Sequence, residues 1–325
     1  MWHRLVLGLV TGLALAGCGF RSSAASGGGS DGGPGDAAID GAGDGSSATT
    51  DCWAHWMDGS VAIETSTVAE ITELSSSGAD FAPWISSDGL RMYFSRDLTP
   101  PGHGEIHSTS RGSPTGTFAA AVPYVNLNSP GQEGRAWLTS DELTIALSTA
   151  HDGPLDIHMI GRAAGQLFAT PLATHLGTVN AEGSQHYDPF LTDDLQRLYF
   201  SANTGPGGKL QLWIAARATA GDHFGAPSLV PGINDNMVNE AGPALYQDER
   251  LLLFESFANN ATADLSYETR ASATASFGNP DPIPTVDTGS GEIEPVLSAD
   301  GCELYFASDR DPDHRFHLFH ARVTK

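Results

Sequence analysis

An aspartate followed by a strand-like apolar run recurs through most of this chain. Asp88, Asp141, Asp194, Asp248 and Asp300 are separated by 53, 53, 54 and 52 residues. The segments around them read FAPWISSDGLRMYFSRD, GRAWLTSDELTIALSTA, YDPFLTDDLQRLYFSAN, AGPALYQDERLLLFESF and IEPVLSADGCELYFASD. Each joins two apolar runs through a Ser/Thr/Asp turn, in which the side chains can bond nearby backbone amides. A period this constant requires a repeat architecture rather than one large mixed fold.

Further parts recur in order. Pro83, Pro189, Pro243 and Pro295 share one position, with Ala136 in the second copy. Phe94, Leu147, Phe200, Phe254 and Phe306 stand six residues beyond each turn Asp. A third strand then ends on Arg111, Arg162, Arg217, Arg270 or Arg322, and the first four copies continue through Phe118, Phe168, Phe224 or Phe277 to a fourth strand. The last copy stops after its third strand, and the missing piece lies near the start of the repeats, at residues 66–75. A chain whose first strand completes its last unit can close a ring and remove its exposed sheet edges. The expectation is an all-β, five-bladed β-propeller of four-stranded blades. Its repeats span about 79–131, 132–184, 185–238, 239–290 and 291–325 plus 60–78.

The pattern in EPVLSADGCELYFASDR resembles the WD40-like repeat of TolB-type propellers, and the resemblance covers residues 51–325. Lipidated forms with Gly/Asp-rich tethers are similar to myxobacterial surface lipoproteins. Asp141-Glu142 and Asp248-Glu249 depart from the Asp-Gly of that pattern. The resemblance implies a scaffold and brings no catalytic set with it.

Ahead of the repeats, residues 1–17 have a charged start and an uninterrupted apolar run, the layout of a secretory signal. The run ends in Leu15-Ala16-Gly17-Cys18, which looks like a bacterial lipobox and implies acylation of Cys18. Residues 18–50 are rich in Gly, Ser, Ala and Asp and read as a flexible tether. Within it, Gly28-Gly29-Ser30-Asp31-Gly32 matches a nucleophile elbow only by composition, with no strand before it and no helix after. The expected location is the bacterial cell envelope, lipid-anchored at the outer membrane and facing either the periplasm or the surface.

The chain has 39 acidic and 16 basic residues and a net charge of −23, which opposes binding to nucleic acid or to an anionic bilayer. Basic peptides, cations and neutral glycans fit that charge better. Asp80, Glu133, His186, Glu240 and Glu292 each stand eight residues before a turn Asp, at the start of the innermost strand. The reading is a ring around one channel mouth, either a ligand or cation ring (calcium being one candidate) or a set of solvated strand-start residues. The five turn aspartates and the third-strand arginines are read as structural, on the opposite rim.

No P-loop, dinucleotide fingerprint or HExxH motif occurs, and no cofactor is expected. His314, His317 and His320 do not share one strand face, so no metal site is assigned to them. Cys52 and Cys302 either bridge, closing a loop of about 250 residues worth on the order of 5 kcal/mol, or remain free thiols. The functional expectation is a monomeric binding or scaffold propeller contacting an envelope protein, peptide or glycan. The alternative is a glycoside hydrolase using carboxylates at the channel mouth, with Glu133, Glu240 and Glu292 as the acids to test.

Overall fold

The computed structural model describes residues 51–324 apart from 98–103, 152, 171–175, 181–183, 205–207, 235–236 and 259–261. The signal segment, Cys18 and the tether lie outside the described residues, as do parts of four loops between second and third strands.

The described chain is a five-bladed propeller. A short helix, α1 (Trp53–Asp58), precedes the closing strand β1 (Ala69–Glu70). Blade 1 comprises β2 (Ala79–Ile85), β3 (Arg91–Asp97), β4 (Gly104–Ser110) and β5 (Val122–Pro123). Blade 2 has β6 (Glu133–Leu138), β7 (Thr144–Thr149) and β8 (Asp156–Gly161) among the described residues. Blade 3 is β9 (His186–Leu191), β10 (Arg197–Ala202), β11 (Gln211–Ala216) and β12 (Ser228–Leu229). Blade 4 is β13 (Val238–Tyr246), β14 (Leu251–Ala258), β15 (Asp264–Thr269) and β16 (Asp281–Pro282). Blade 5 is β17 (Glu292–Leu297), β18 (Glu303–Ser308) and β19 (His317–Arg322), completed by β1. All pairings within the blades are antiparallel, and Ala69 pairs with His320 and Glu70 with Phe319, so head meets tail as the repeat count requires.

The second strands are buried on both faces because blades stack on one another. Met92, Tyr93 and Phe94 are buried, as are Leu198, Tyr199 and Phe200. Each first turn uses its aspartate as a local cap. Asp88, Asp141, Asp194 and Asp300 accept from the Ser or Thr hydroxyl two residues earlier, and also from the backbone N–H two residues later. The Ser86 hydroxyl bond holds Asp88 below the usual carboxylate range, and the Thr139 bond does the same for Asp141. In blade 4 the Ser/Thr position is Tyr246, and Asp248 itself adopts a left-handed φ of 55°.

The residue after each turn Asp has positive φ: Gly89, Glu142, Leu195, Glu249 and Gly301 lie between 58° and 69°. This explains the Asp-Gly pattern and shows how blades 2, 3 and 4 depart from it. Glu142 and Glu249 adopt a backbone that disfavours a side chain, and each meets an arginine of the preceding blade. Arg91 Nε donates to Glu142 Oε1 at 2.8 Å, and Arg197 Nε to Glu249 Oε1 at 2.6 Å.

The third-strand arginines do not bond the turn aspartates. Arg111, Arg162, Arg217 and Arg270 each donate through Nε, at 2.7 Å, to the carbonyl of the positive-φ residue. Each guanidinium also lies 4.2–4.4 Å from the ring centroid of Phe118, Phe168, Phe224 or Phe277. The Arg and Phe of each repeat therefore form one clasp that joins third strand, turn and fourth-strand approach. Blade 5 has no such Phe, and Arg322 pairs instead with Glu303 at 2.9 Å.

The ring closes at two levels. Cys52 and Cys302 form a disulfide with their Cα atoms 5.0 Å apart. Trp56 Nε1 donates to Gly301 O at 2.9 Å, and Trp53 packs against Gly301 so closely that a Cβ there would stand 2.8 Å from Trp53 Cε3.

Candidate ligand funnel and the channel beneath it

The acidic ring expected at the strand starts is not an open mouth. Asp80, Glu133 and Glu292 are fully buried, and His186 and Glu240 are 2% exposed. Their polar atoms are used inside or between adjacent blades. Asp80 accepts from Arg96 Nε at 2.5 Å and from the Ser76 N–H at 3.0 Å. Glu133 accepts from the hydroxyl and N–H of Ser129, and Thr149 donates to it at 3.2 Å. His186 meets Asp156 and Ser184, Gln211 donates to Glu240 at 3.4 Å, and Glu292 receives Thr288, Ser308 and Arg310. Asp80, Glu133 and Glu292 cap the loop leading into their innermost strands, each accepting from a backbone N–H four residues earlier. The ring reading is corrected for a physical reason: a repeated strand-start carboxylate is what an N–H-rich loop needs, and meeting that need buries it.

Two residues further along each innermost strand lies a position that varies between blades: Ala82, Arg135, Asp188, Gly242 and Glu294. Every innermost strand has a register shift here. In the four blades where the next residue is Pro, this residue has a φ of 51–64°. A bulge of this kind takes an N–H out of the ladder and needs another acceptor. Side chains from neighbouring blades supply it. Ala82 N donates to Glu294 Oε2 at 2.5 Å, Glu294 N to Glu255 Oε2 at 2.8 Å, and Gly242 N to Ser201 Oγ at 3.2 Å.

The result is a charged knot in the channel made by Arg135, Asp188, Glu255 and Glu294. Burial, with the nearby Asp188 charge adding to it, pushes Glu255 up to about 8 and raises Glu294 well above its ordinary range. Asp188 is also raised by burial, against the attraction of Arg135, although it keeps a partly accessible face. Arg135 is 0% exposed, lies 5.1 Å from the Trp137 ring centroid, and has no hydrogen bond at any guanidinium nitrogen.

Above this knot, at the turn end, a cavity of about 540 Å³ opens. Trp84, Trp137, Phe190 and Leu245 form its apolar floor, while Asp193 and Asp248 stand exposed at its lip. Trp84 is fixed by donation from Nε1 to Leu138 O at 2.9 Å, and Trp137 packs against Phe190 with ring centroids 4.5 Å apart. Tyr246 borders the same cavity; its hydroxyl accepts from Leu297 N at 2.7 Å, and burial pushes it up to about 12. The funnel therefore lies on the rim that the sequence reading treats as purely structural. The signal for it is the aromatic residue after Pro or Ala in blades 1 to 3, Trp84, Trp137 and Phe190.

No family model matches the chain, and no curated protein matches it. Solved structures do. TolB from Acinetobacter baumannii is 13% identical, over 78% of this chain and 56% of its own, with a TM-score of 0.46. The GH43 β-xylosidase/α-arabinofuranosidase CoXyl43 from a compost microbial metagenome is 13% identical, over 81% and 94%, with a TM-score of 0.53. The catalytic domain of the Coprinopsis cinerea GH62 α-L-arabinofuranosidase is 11% identical, over 79% and 96%, also with a TM-score of 0.53. At these identities the likeness shows the fold alone.

Proposed function

We propose that this chain is a binding propeller, held at the bacterial envelope by an acylated Cys18, whose turn-end funnel takes a segment of a protein partner. The observation that carries this reading is the 540 Å³ cavity with aromatic floor and exposed carboxylate lip. An apolar side chain fits such a floor, and a Lys or Arg beside it would meet Asp193 and Asp248. Pull-down from envelope extract tests it, using wild type, Asp193→Asn/Asp248→Asn and Leu245→Arg. A partner retained by wild type and lost from both variants supports the reading; equal capture by all three overturns it.

A second reading is favoured by one observation: burial pushes Glu255 up to about 8 and raises Glu294 well above its ordinary range, beside a partly accessible Asp188. Glycoside hydrolysis needs one carboxyl protonated and another ionised. Against it, Glu255 and Glu294 each spend an oxygen on a bulge N–H. Hydrolysis of arabinoxylan fragments by wild type, abolished in Asp188→Asn and Glu294→Gln, would establish an enzyme.

A further inference from the structure

The seam that closes the ring is short. It rests on the two residue pairs of β1 with β19, the Ile63–Val323 bridge and a few flanking hydrogen bonds, including Ile71 N to Leu318 O at 2.8 Å. The disulfide secures it at the turn end of β18. At the other end of β18, Glu70 from the closing strand, Asp311 from the β18–β19 loop and His317 at the start of β19 converge. One ligand atom from each lies within 4.8 Å of the others.

His317 is only 5% exposed, and its two nitrogens are treated differently. Nε2 lies 3.1 Å from Asp313 Oδ2, so a proton there is donated to that carboxylate. Nδ1 is then a bare acceptor without a hydrogen bond, and the carboxylate oxygen Asp80 Oδ2 stands 4.0 Å from it, beyond hydrogen-bond reach. Asp311 Oδ2 is likewise buried without a hydrogen bond. With Nδ1, Asp311 Oδ2 and Asp80 Oδ2 gathered in one buried pocket, a positive charge is needed among them, supplied by a metal ion or by a second proton on the imidazole. The Asp313–His317 pair also has the form that orients a metal-binding imidazole, with a carboxylate holding the far ring nitrogen. The similar cluster of Asp264, Asp287 and Glu292 differs, because Arg310 already supplies a positive charge to Glu292 at 3.1 Å.

We infer that Glu70, Asp311 and His317 Nδ1 bind a divalent cation of the zinc class, which clamps the closing strand to the last blade. An imidazole beside two carboxylates selects this class over calcium, which takes oxygen donors.

The test uses the full chain in detergent, stripped with chelator and titrated with Zn²⁺ or Ca²⁺ by calorimetry. Expected are one zinc per chain, a higher thermal midpoint and slower amide exchange at residues 69–71 with metal bound. Glu70→Gln and Asp311→Asn keep size and should weaken zinc binding by at least about tenfold, the scale of a lost metal-site group, without lowering the metal-free midpoint. His317→Gln should abolish binding; if that variant unfolds, the two carboxylate variants decide. No zinc binding, binding of calcium alone, or undiminished zinc binding by both carboxylate variants would overturn the inference.

Discussion

The two ends of the channel differ in how they use acidic residues. At the strand-start end, carboxylates that recur from blade to blade are buried and bonded into the frame: Asp80 by Arg96 and Ser76, Glu292 by Thr288, Ser308 and Arg310. At the turn end, Asp193 and Asp248 stand exposed on a lip over an aromatic floor, Asp193 with one oxygen accepting from Ser140 N at 2.7 Å. Between them, the knot of Arg135, Asp188, Glu255 and Glu294 is formed where the blades disagree. In a ring of copies, the positions that repeat build the frame. Chemistry gathers where copies diverge.

The sharpest way to break this contrast is to remove a recurrent acid. Asp80→Ala leaves the partly buried Arg96 without its carboxylate and should cost about 3 kcal/mol in denaturant unfolding, because a stranded charge is expensive. Partner capture per folded molecule should be unchanged. Loss of capture at full stability would make the strand-start end functional after all.

The next effect lies in the knot. Glu255 keeps its proton up to about 8 when folded, against an ordinary 4.5. Between those values the native state binds more protons than the unfolded one. Its stabilising contribution is complete below about pH 4.5 and is lost as pH rises through 8. The thermal midpoint should therefore be higher at pH 6 than at pH 9, equivalent to about 2 kcal/mol, and Glu255→Gln should flatten that slope. A midpoint that rises with pH in this window would contradict the protonated knot.

A smaller effect is expected at the turns. Glu142→Gly relieves a φ of 58° but removes the Arg91 pair. These terms are each about 1 kcal/mol, so the net change should stay within about 1 kcal/mol. The smallest stability effect belongs to the lip. Asp193→Asn and Asp248→Asn should shift stability by less than about 0.5 kcal/mol, as exposed groups do, yet weaken partner capture and reduce its salt dependence.

The frame was legible in the sequence because it repeats: the turn aspartates, the recurring Arg and Phe positions and the head-to-tail strand all follow from a period of about 53 residues, while the Arg–Phe clasp itself emerged only in three dimensions. The same habit of reading hid the funnel and the knot. Ala82, Arg135, Asp188, Gly242 and Glu294 occupy one column, but it has no common chemistry. Its meaning came from the bulge before the repeated Pro, which aims that residue's backbone at the channel. Glu255 was hidden for a related reason: it replaces Ser95, Ser148 and Ser201 of the other blades. The recurrent acids were visible yet misplaced, since spacing gives their position along the strand and not their burial.

The bond between Cys52 and Cys302 encloses nearly every blade in one covalent hoop. A protease that cuts any loop inside the hoop opens the chain without separating the pieces. The nicked molecule should run at full mass on a gel without reductant and fall into two fragments with it. Release of the propeller from the lipid anchor proposed at Cys18 would then require a cut before Cys52, in the tether itself.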